Sequence, residues 1–409
     1  MNLEIFHPSK VCNGVMDIKG SKSISNRLLF LQSLYPSIKI LNESNSEDTI
    51  LMKNSLKSKK KFVDIGHAGT AMRFLTSYFS AIKDRETILT GSKRMQERPI
   101  KILVEALKKL GAKISYEKIE GFPPLKIIGS NLKSKDISLP ANISSQYISS
   151  LMLLAPTLDN GLRIKLIGEI TSIPYIKMTL ELLKELGINS FLKKNIIEVS
   201  PKKKVNQFSY KVESDWSSAS YFYSIIALCK EGEIVLNNFN KKSLQGDFCL
   251  VDIYDSLGVS SRFDNGRLIL SKKKIKVKNV LNLNLIDSPD IAQTIAVTCF
   301  GLGIKCNLKG LHTLKIKETD RLVALKNEIT KLGSEVSVTN NSFHLKKIKK
   351  NENKNYLIKT YNDHRMAMAF APLSISYPIQ IQNFEVVKKS YPNFWIDLES
   401  IGFKTFKLK

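Results

Sequence analysis

The chain has 409 residues, 43% of them hydrophobic, and its 63 basic and 37 acidic side chains give a formal charge of +26. That size and apolar content predict a soluble globular protein of two or more domains. The opening MNLEIFHPSK has no basic region followed by an apolar stretch, so no secretory signal is expected. The most apolar stretch, Ile291 to Ile304, is interrupted by Gln293, Thr294 and Thr298 and is too short to span a bilayer. A cytoplasmic protein is expected.

Five cysteines, Cys12, Cys229, Cys249, Cys299 and Cys306, form no CxxC pair, and the five histidines form no HxxxH or HxH pair. Buried free thiols and no metal follow. The positive charge raises a nucleic-acid reading. Its lysines fall in separate short runs, Lys59 to Lys61, Lys202 to Lys204, Lys272 to Lys274 and Lys346 to Lys350, without interleaved aromatics to stack bases. Solvated faces account for them.

Taken in chain order, the first informative element is GSKSISNR, Gly20 to Arg27, which feeds the apolar run Leu28 to Leu31. It reads as a turn into a helix with Ser21 or Ser23 as N-cap. Such an end favours anions, and Lys22 with Arg27 would add charge and a bidentate fork. From there a helix ending in Leu-Gly or Ile-Gly, followed by an alternating strand, recurs five times. The glycines are Gly111, Gly187, Gly258, Gly333 and Gly402, at intervals of 76, 71, 75 and 69. Each suits a helix C′ position, and the period is that of a supersecondary repeat.

Earlier helix starts are expected at Ser23, Gly69, Ser145, Ser217, Asp290 and Asp363, which makes six units of about two helices and several strands. Three units per lobe is the natural partition, with domains at 1–20 plus 214–409 and at 21–213. The opening strand before Gly20 then belongs to the second lobe.

Polar residues gather at these helix starts: GHAGTAMR at 66–73, RMQERPI at 94–100, SSQY at 144–147, SIPY at 172–175, SPD at 288–290, IKETDR at 316–321, YNDHRMAM at 361–368 and KKSYPNF at 388–394. One helix end contributes only roughly 0.3 to 1 kcal/mol to a nearby anion, so several must converge. In IKETDR, the spacing predicts that Lys317 and Arg321 share a helix face, with Glu318 displaced and Leu322, Leu325, Ile329 and Leu332 buried. In YNDHRMAM, Asp363 can cap, His364 and Arg365 occupy the first turn, and Met366 and Met368 pack inward.

In this order and at these separations, GSKSISNR, AGTAMR, RMQERPI, SSQ, PD, KETDR and YNDHRMAM resemble the 5-enolpyruvylshikimate-3-phosphate synthase family from about residue 8 to residue 400. The resemblance implies an α/β (α+β) fold of two similar domains, each of three βαβαββ units in an inside-out barrel-like arrangement, with the active site between them. It also implies transfer of the enolpyruvyl group of phosphoenolpyruvate to the 5-hydroxyl of shikimate 3-phosphate, by addition and elimination, without a cofactor.

By the same resemblance, Lys22, Ser23 and Arg27 contact shikimate 3-phosphate, and Lys22 also reaches phosphoenolpyruvate. Ser144, Ser145 and Ser172 hold the shikimate phosphate beside Tyr175. Gly69, Arg98, Gln146, Arg321, Arg365 and Lys389 line the phosphoenolpyruvate site, and Arg73 lies behind it. Asp290 matches the base, Glu318 and Lys22 are the two candidates for protonating carbon, and Lys317 with the arginines stabilises developing charge. A monomer whose lobes close on shikimate 3-phosphate is expected.

Three positions depart from the family pattern. His67 stands where asparagine is frequent, Thr313 replaces an asparagine expected to contact shikimate, and Asn393 replaces an aspartate. The related transferase acting on UDP-N-acetylglucosamine carries a cysteine-bearing loop in its first lobe, and here no cysteine lies between Cys12 and Cys229. A basic nucleic-acid-binding repeat protein is the alternative from another class, and it leaves Asp290 and Glu318 without a task.

Overall fold

The computed structural model describes residues 1–142, 144–275, 278–348 and 356–408. Two compact units appear, Gly20–Val212 and Met1–Lys19 with Glu213–Lys409. Each has its own apolar core, one running from Leu29 to Val199 and the other from Leu3 to Phe403. The chain passes between units at 19–20 and again at 212–213.

Among the described residues, five four-stranded sheets share one topology, in which the first two strands are parallel and the next two add antiparallel. In the Gly20–Val212 unit one sheet runs Phe62–Asp64, Glu86–Thr90, Leu125–Ile128, Lys113–Tyr116. A second runs Ile137–Pro140, Leu162–Ile167, Ile196–Val199, Ser190–Lys193. In the other unit the orders are Val11–Met16, Glu231–Asn237, Arg267–Lys272, Val259–Asp264, and Val280–Asn284, Lys305–Lys309, Phe343–Lys347, Glu335–Val338. The fifth runs Tyr356–Ile358, Ile379–Gln382, Asn2–Phe6, Lys404–Leu408, so the opening strand fills a place that the C-terminal repeat leaves empty.

A parallel pair requires a crossover, and here a helix supplies it. Gly69–Ala81, Ser145–Leu154, Ala292–Leu302 and His364–Phe370 lie between the parallel strands of their sheets, and Trp216–Leu228 enters Glu231–Asn237. These helices are buried nearly all round; every residue from Ala292 to Phe300 is buried. Serine and threonine recur along them, as at Thr76, Ser149, Ser224 and Thr298, but their charged side chains, Arg73, His364 and Arg365, lie near their starts. In five of the units the second helix is followed by the repeat glycine, and Gly111, Gly187, Gly258, Gly333 and Gly402 all have left-handed backbone, with φ from 68° to 103°. Each turns the chain into an outer strand of its sheet.

The sixth unit differs from the expected pattern. Its sheet has only two strands among the described residues, Ile38–Leu41 parallel to Phe208–Lys211. No glycine follows its helix Glu47–Lys57; Ser58 takes extended backbone instead. Without the left-handed turn, no antiparallel return strand is set up there.

Among the described residues no helix is long and apolar enough to cross a membrane. Lys346 and Lys347 are exposed, while Lys349 and Lys350 of that basic run lie outside the described residues.

Candidate functional site

In the Gly20–Val212 unit, three helix starts meet around one buried arginine. The helix Lys22–Leu34 begins after Ser21, which makes no side-chain cap bond. Arg27, one turn in, is 1% exposed. Its Nε donates to Thr179 Oγ1 at 2.8 Å, its Nη1 to Ser23 O at 2.8 Å, and its Nη2 to Ser149 Oγ at 3.0 Å and Tyr175 O at 3.3 Å. The guanidinium also lies 5.5 Å from the Phe74 ring centroid and 5.8 Å from that of Tyr175. All these partners are neutral, and burial pulls its pKa down to about 10. The fork expected to grip an anion is thus committed to protein acceptors.

Arg27 ties the start of Lys22–Leu34 to Ser145–Leu154 and Ile173–Glu185. Ser144 caps Ser145–Leu154, its hydroxyl accepting from Gln146 N. Ser172 precedes Ile173–Glu185 with a left-handed backbone, φ 55°, and its side chain makes no cap bond. The neighbouring Thr171 Oγ1 is buried without a partner among the described residues. Donors from three helix ends and several hydroxyls are thereby gathered, with no carboxylate hydrogen-bonded to Arg27 among the described residues, which suits a dianion. Lys22 is treated differently: its ammonium lies 3.1 Å from the buried Asp48.

Gly69 opens the helix Gly69–Ala81, and a Cβ there would come within 2.5 Å of Arg98 Nη1. Only glycine lets that guanidinium lie against the helix start. Gln146 Nε2 reaches Thr70 Oγ1 at 2.9 Å, and Arg73 holds the Arg98 loop by donating to Pro99 O and Gly69 O, both at 3.2 Å. His67 pairs with Ser92 Oγ at 2.9 Å.

The other unit builds its cluster around Arg321, 2% exposed. Its Nε lies 2.6 Å from Asp363 Oδ2, its Nη1 2.9 Å from Asp290 Oδ1, and its Nη2 2.8 Å from Glu318 Oε2. Three further cations complete the ring. Lys317 Nζ is 3.4 Å and Arg365 Nη2 3.5 Å from Asp290, and Lys389 Nζ is 2.5 Å from Glu318 Oε1. Arg365 Nη2 also donates to Ser217 Oγ at 3.3 Å, and Ser217 donates to Asp247.

Burial opposes ionisation of Asp290, but Lys317, Arg365 and Arg321 outweigh it and hold the carboxyl well below its ordinary range. Burial likewise opposes the charge on Arg321, and Asp363, Glu318 and Asp290 raise its pKa regardless. Asp247 goes the other way, pushed up to about 6 chiefly by burial and only partly offset by Arg365. The cluster is a stored set of opposite charges in which one carboxylate is kept ionised.

The structure thus brings Lys22, Ser23, Arg27, Ser144, Ser145, Gln146, Ser172, Tyr175, Gly69 and Arg98 to helix starts of one unit. It gathers Asp290, Lys317, Glu318, Arg321, Arg365 and Lys389 in the other. Thr313 lies on the turn His312–Ile316, its hydroxyl buried without a partner among the described residues.

Two details depart from expectation. Lys317 and Arg321 do not share a helix face, because Asp320 caps Leu322 and Val323 and the helix begins only at Arg321. They meet instead on Asp290. Asp290 sits in a short 3-10 turn, Pro289–Ile291, and its ionisation comes from the cations rather than from a helix start. Sequence reasoning missed Asp48 and Asp247. Their settings, SNSEDT and LQGDF, look like ordinary capping and turn residues.

A family model described as EPSP synthase (3-phosphoshikimate 1-carboxyvinyltransferase) matches residues 34–398. The chain is 44% identical over 400 residues to the 3-phosphoshikimate 1-carboxyvinyltransferase of Bacteroides fragilis, covering 97% of each. It is 33% identical over 432 residues to that of Haemophilus influenzae, covering 96% of this chain and 98% of the other. The solved structure of EPSP synthase from Acinetobacter baumannii superposes with a TM-score of 0.77 at 20% identity, covering 99% of this chain and 100% of that one. At that identity the structure speaks for the fold alone.

Proposed function

This chain belongs to the EPSP synthase family, the 3-phosphoshikimate 1-carboxyvinyltransferases, and from that premise we propose how its two clusters divide the work. The reaction transfers the enolpyruvyl group of phosphoenolpyruvate to shikimate 3-phosphate and releases phosphate. The carboxylate-free cluster of Ser23, Arg27, Ser144, Ser145, Ser172 and Tyr175 takes the phosphate of shikimate 3-phosphate, Arg27 through its one uncommitted N–H. Thr313 offers its hydroxyl, which has no partner among the described residues, to the same substrate. Gly69, Arg98, Gln146, Lys317, Arg321, Arg365 and Lys389 serve phosphoenolpyruvate, with Lys22 reaching both.

The observation that carries this division is the state of Asp290. A carboxylate stabilised by three cations is a weak base, since proton transfer is most efficient when the base's pKa lies near the working pH. Anionic substrate groups compete for Lys317 and Arg365, and as those cations turn to the substrate the Asp290 pKa rises. Asp290 then accepts the 5-hydroxyl proton as that oxygen bonds to C2 of phosphoenolpyruvate, while Glu318 or Lys22 delivers a proton to the methylene carbon. Elimination reverses the second step: a proton leaves the new methyl group, the C2–O bond to phosphate breaks, and the double bond returns. The cations stabilise the negative charge of the intermediate.

All these residues lie on one chain, so a monomer suffices. The five cysteines are free thiols, which fits a reducing cytoplasmic compartment.

Asp290→Asn tests the role of base. It keeps the shape and one acceptor oxygen but neither the charge nor the basicity, and turnover is expected to fall by about 10² to 10⁴ while both substrates still bind by calorimetry. Undiminished turnover removes Asp290 from that role.

A further inference from the structure

Asp363 and Arg365 reach the Arg321 cluster from a turn in which two successive residues, Tyr361 and Asn362, have left-handed backbone, φ 53° and 55°. Neither is glycine. Such conformations persist only when the surroundings impose them. The helix Arg321–Lys331 supplies that constraint. Its Glu328 carboxylate, 2% exposed, accepts from Lys359 N at 3.0 Å and from the Tyr361 hydroxyl at 2.9 Å. Lys331, paired with Glu328, donates from Nζ to Leu357 O at 2.6 Å. At the start of the same helix Arg321 holds Asp363. One helix therefore holds the segment 357–363 at both ends.

The proposed chemistry has no direct use for Glu328. A buried acid with three partners on and around a strained turn needs another account. We propose that Glu328 is a positioning residue for the enolpyruvyl transfer, clamping the Tyr361–Asn362 turn through Lys359 and Tyr361 so that Arg365 is fixed against Asp290 and Ser217. This rests on the reading that Arg365 serves phosphoenolpyruvate.

The test compares the full-length wild type with Glu328→Gln, Tyr361→Phe and Glu328→Gln/Asn362→Gly. Both single variants are expected to raise KM for phosphoenolpyruvate about fivefold or more while KM for shikimate 3-phosphate moves less than about twofold. Asn362→Gly, which adopts the left-handed backbone without strain, recovers most of that rise. A purely structural role predicts a lower Tm with both KM values unchanged, and that result overturns the proposal. Tyr361→Phe removes a single hydroxyl and carries the test if Glu328→Gln does not fold. Hydrogen exchange separates the clamp from the functional reading: faster exchange at the amides of 361–366 in Tyr361→Phe supports the clamp even if the wild type shows no transferase activity. Unchanged exchange there overturns it whatever the activity.

Discussion

Arg27 and Arg321 are both almost wholly buried near helix starts, one in each unit, and their partners could hardly differ more. Arg27 is held by hydroxyls and backbone carbonyls, and its pKa falls. Arg321 is held by three carboxylates, and its pKa rises. A cation among neutral acceptors leaves its charge available to an incoming dianion. One among carboxylates has its charge answered from within, and it organises acids and bases. In the proposed reaction, this difference assigns the first cluster to binding and the second to the reacting groups.

Substitution by methionine is the sharpest way to break this comparison. Arg321→Met leaves Asp363, Asp290 and Glu318 without their shared partner, and should cost about 3 to 5 kcal/mol in urea unfolding. Arg27→Met leaves hydroxyls that still bond one another, Thr179 Oγ1 to Ser149 Oγ at 3.1 Å, and should cost about 1 to 3 kcal/mol. Equal losses, or the reverse order, would mean that the two arginines play the same structural part.

A smaller effect lies in pH. The Asp247 pKa is raised in the folded chain to about 6, above the ordinary carboxyl value. Its contribution to stability is therefore present below about pH 4 and is lost as pH rises through about 6. Asp290, held below its ordinary range, contributes in the opposite sense, and its stabilisation is lost only as pH falls through that lowered value. The stability of wild type minus that of Asp247→Asn should decline between about pH 4 and about pH 6 in denaturant titrations. A flat difference would mean that Arg365 and Ser217 fully offset the effect of burying Asp247.

What could be read from the chain follows from local chemistry. The five repeat glycines announce left-handed helix ends, and each of the five precedes an outer strand of a four-stranded sheet. The polar helix starts stand out because the buried crossover helices carry charged side chains only near their starts, as Arg73, His364 and Arg365 do, and hydroxyls beyond. The two-stranded sixth sheet was not legible, since counting helix starts gives no strand number. Nor was the start of Arg321–Lys331: a four-residue spacing suggests a shared face, but Asp320 stops the helix short of Lys317. The partners Asp48 and Asp247 depend on contacts between residues distant in sequence, Lys22 with Asp48 and Ser217 with Asp247.

The most direct measurement is phosphate release by the purified chain given phosphoenolpyruvate and shikimate 3-phosphate together, each alone, and phosphoenolpyruvate with UDP-N-acetylglucosamine. Release only with the first pair is the predicted result. Release with UDP-N-acetylglucosamine, or none with shikimate 3-phosphate, would contradict the account.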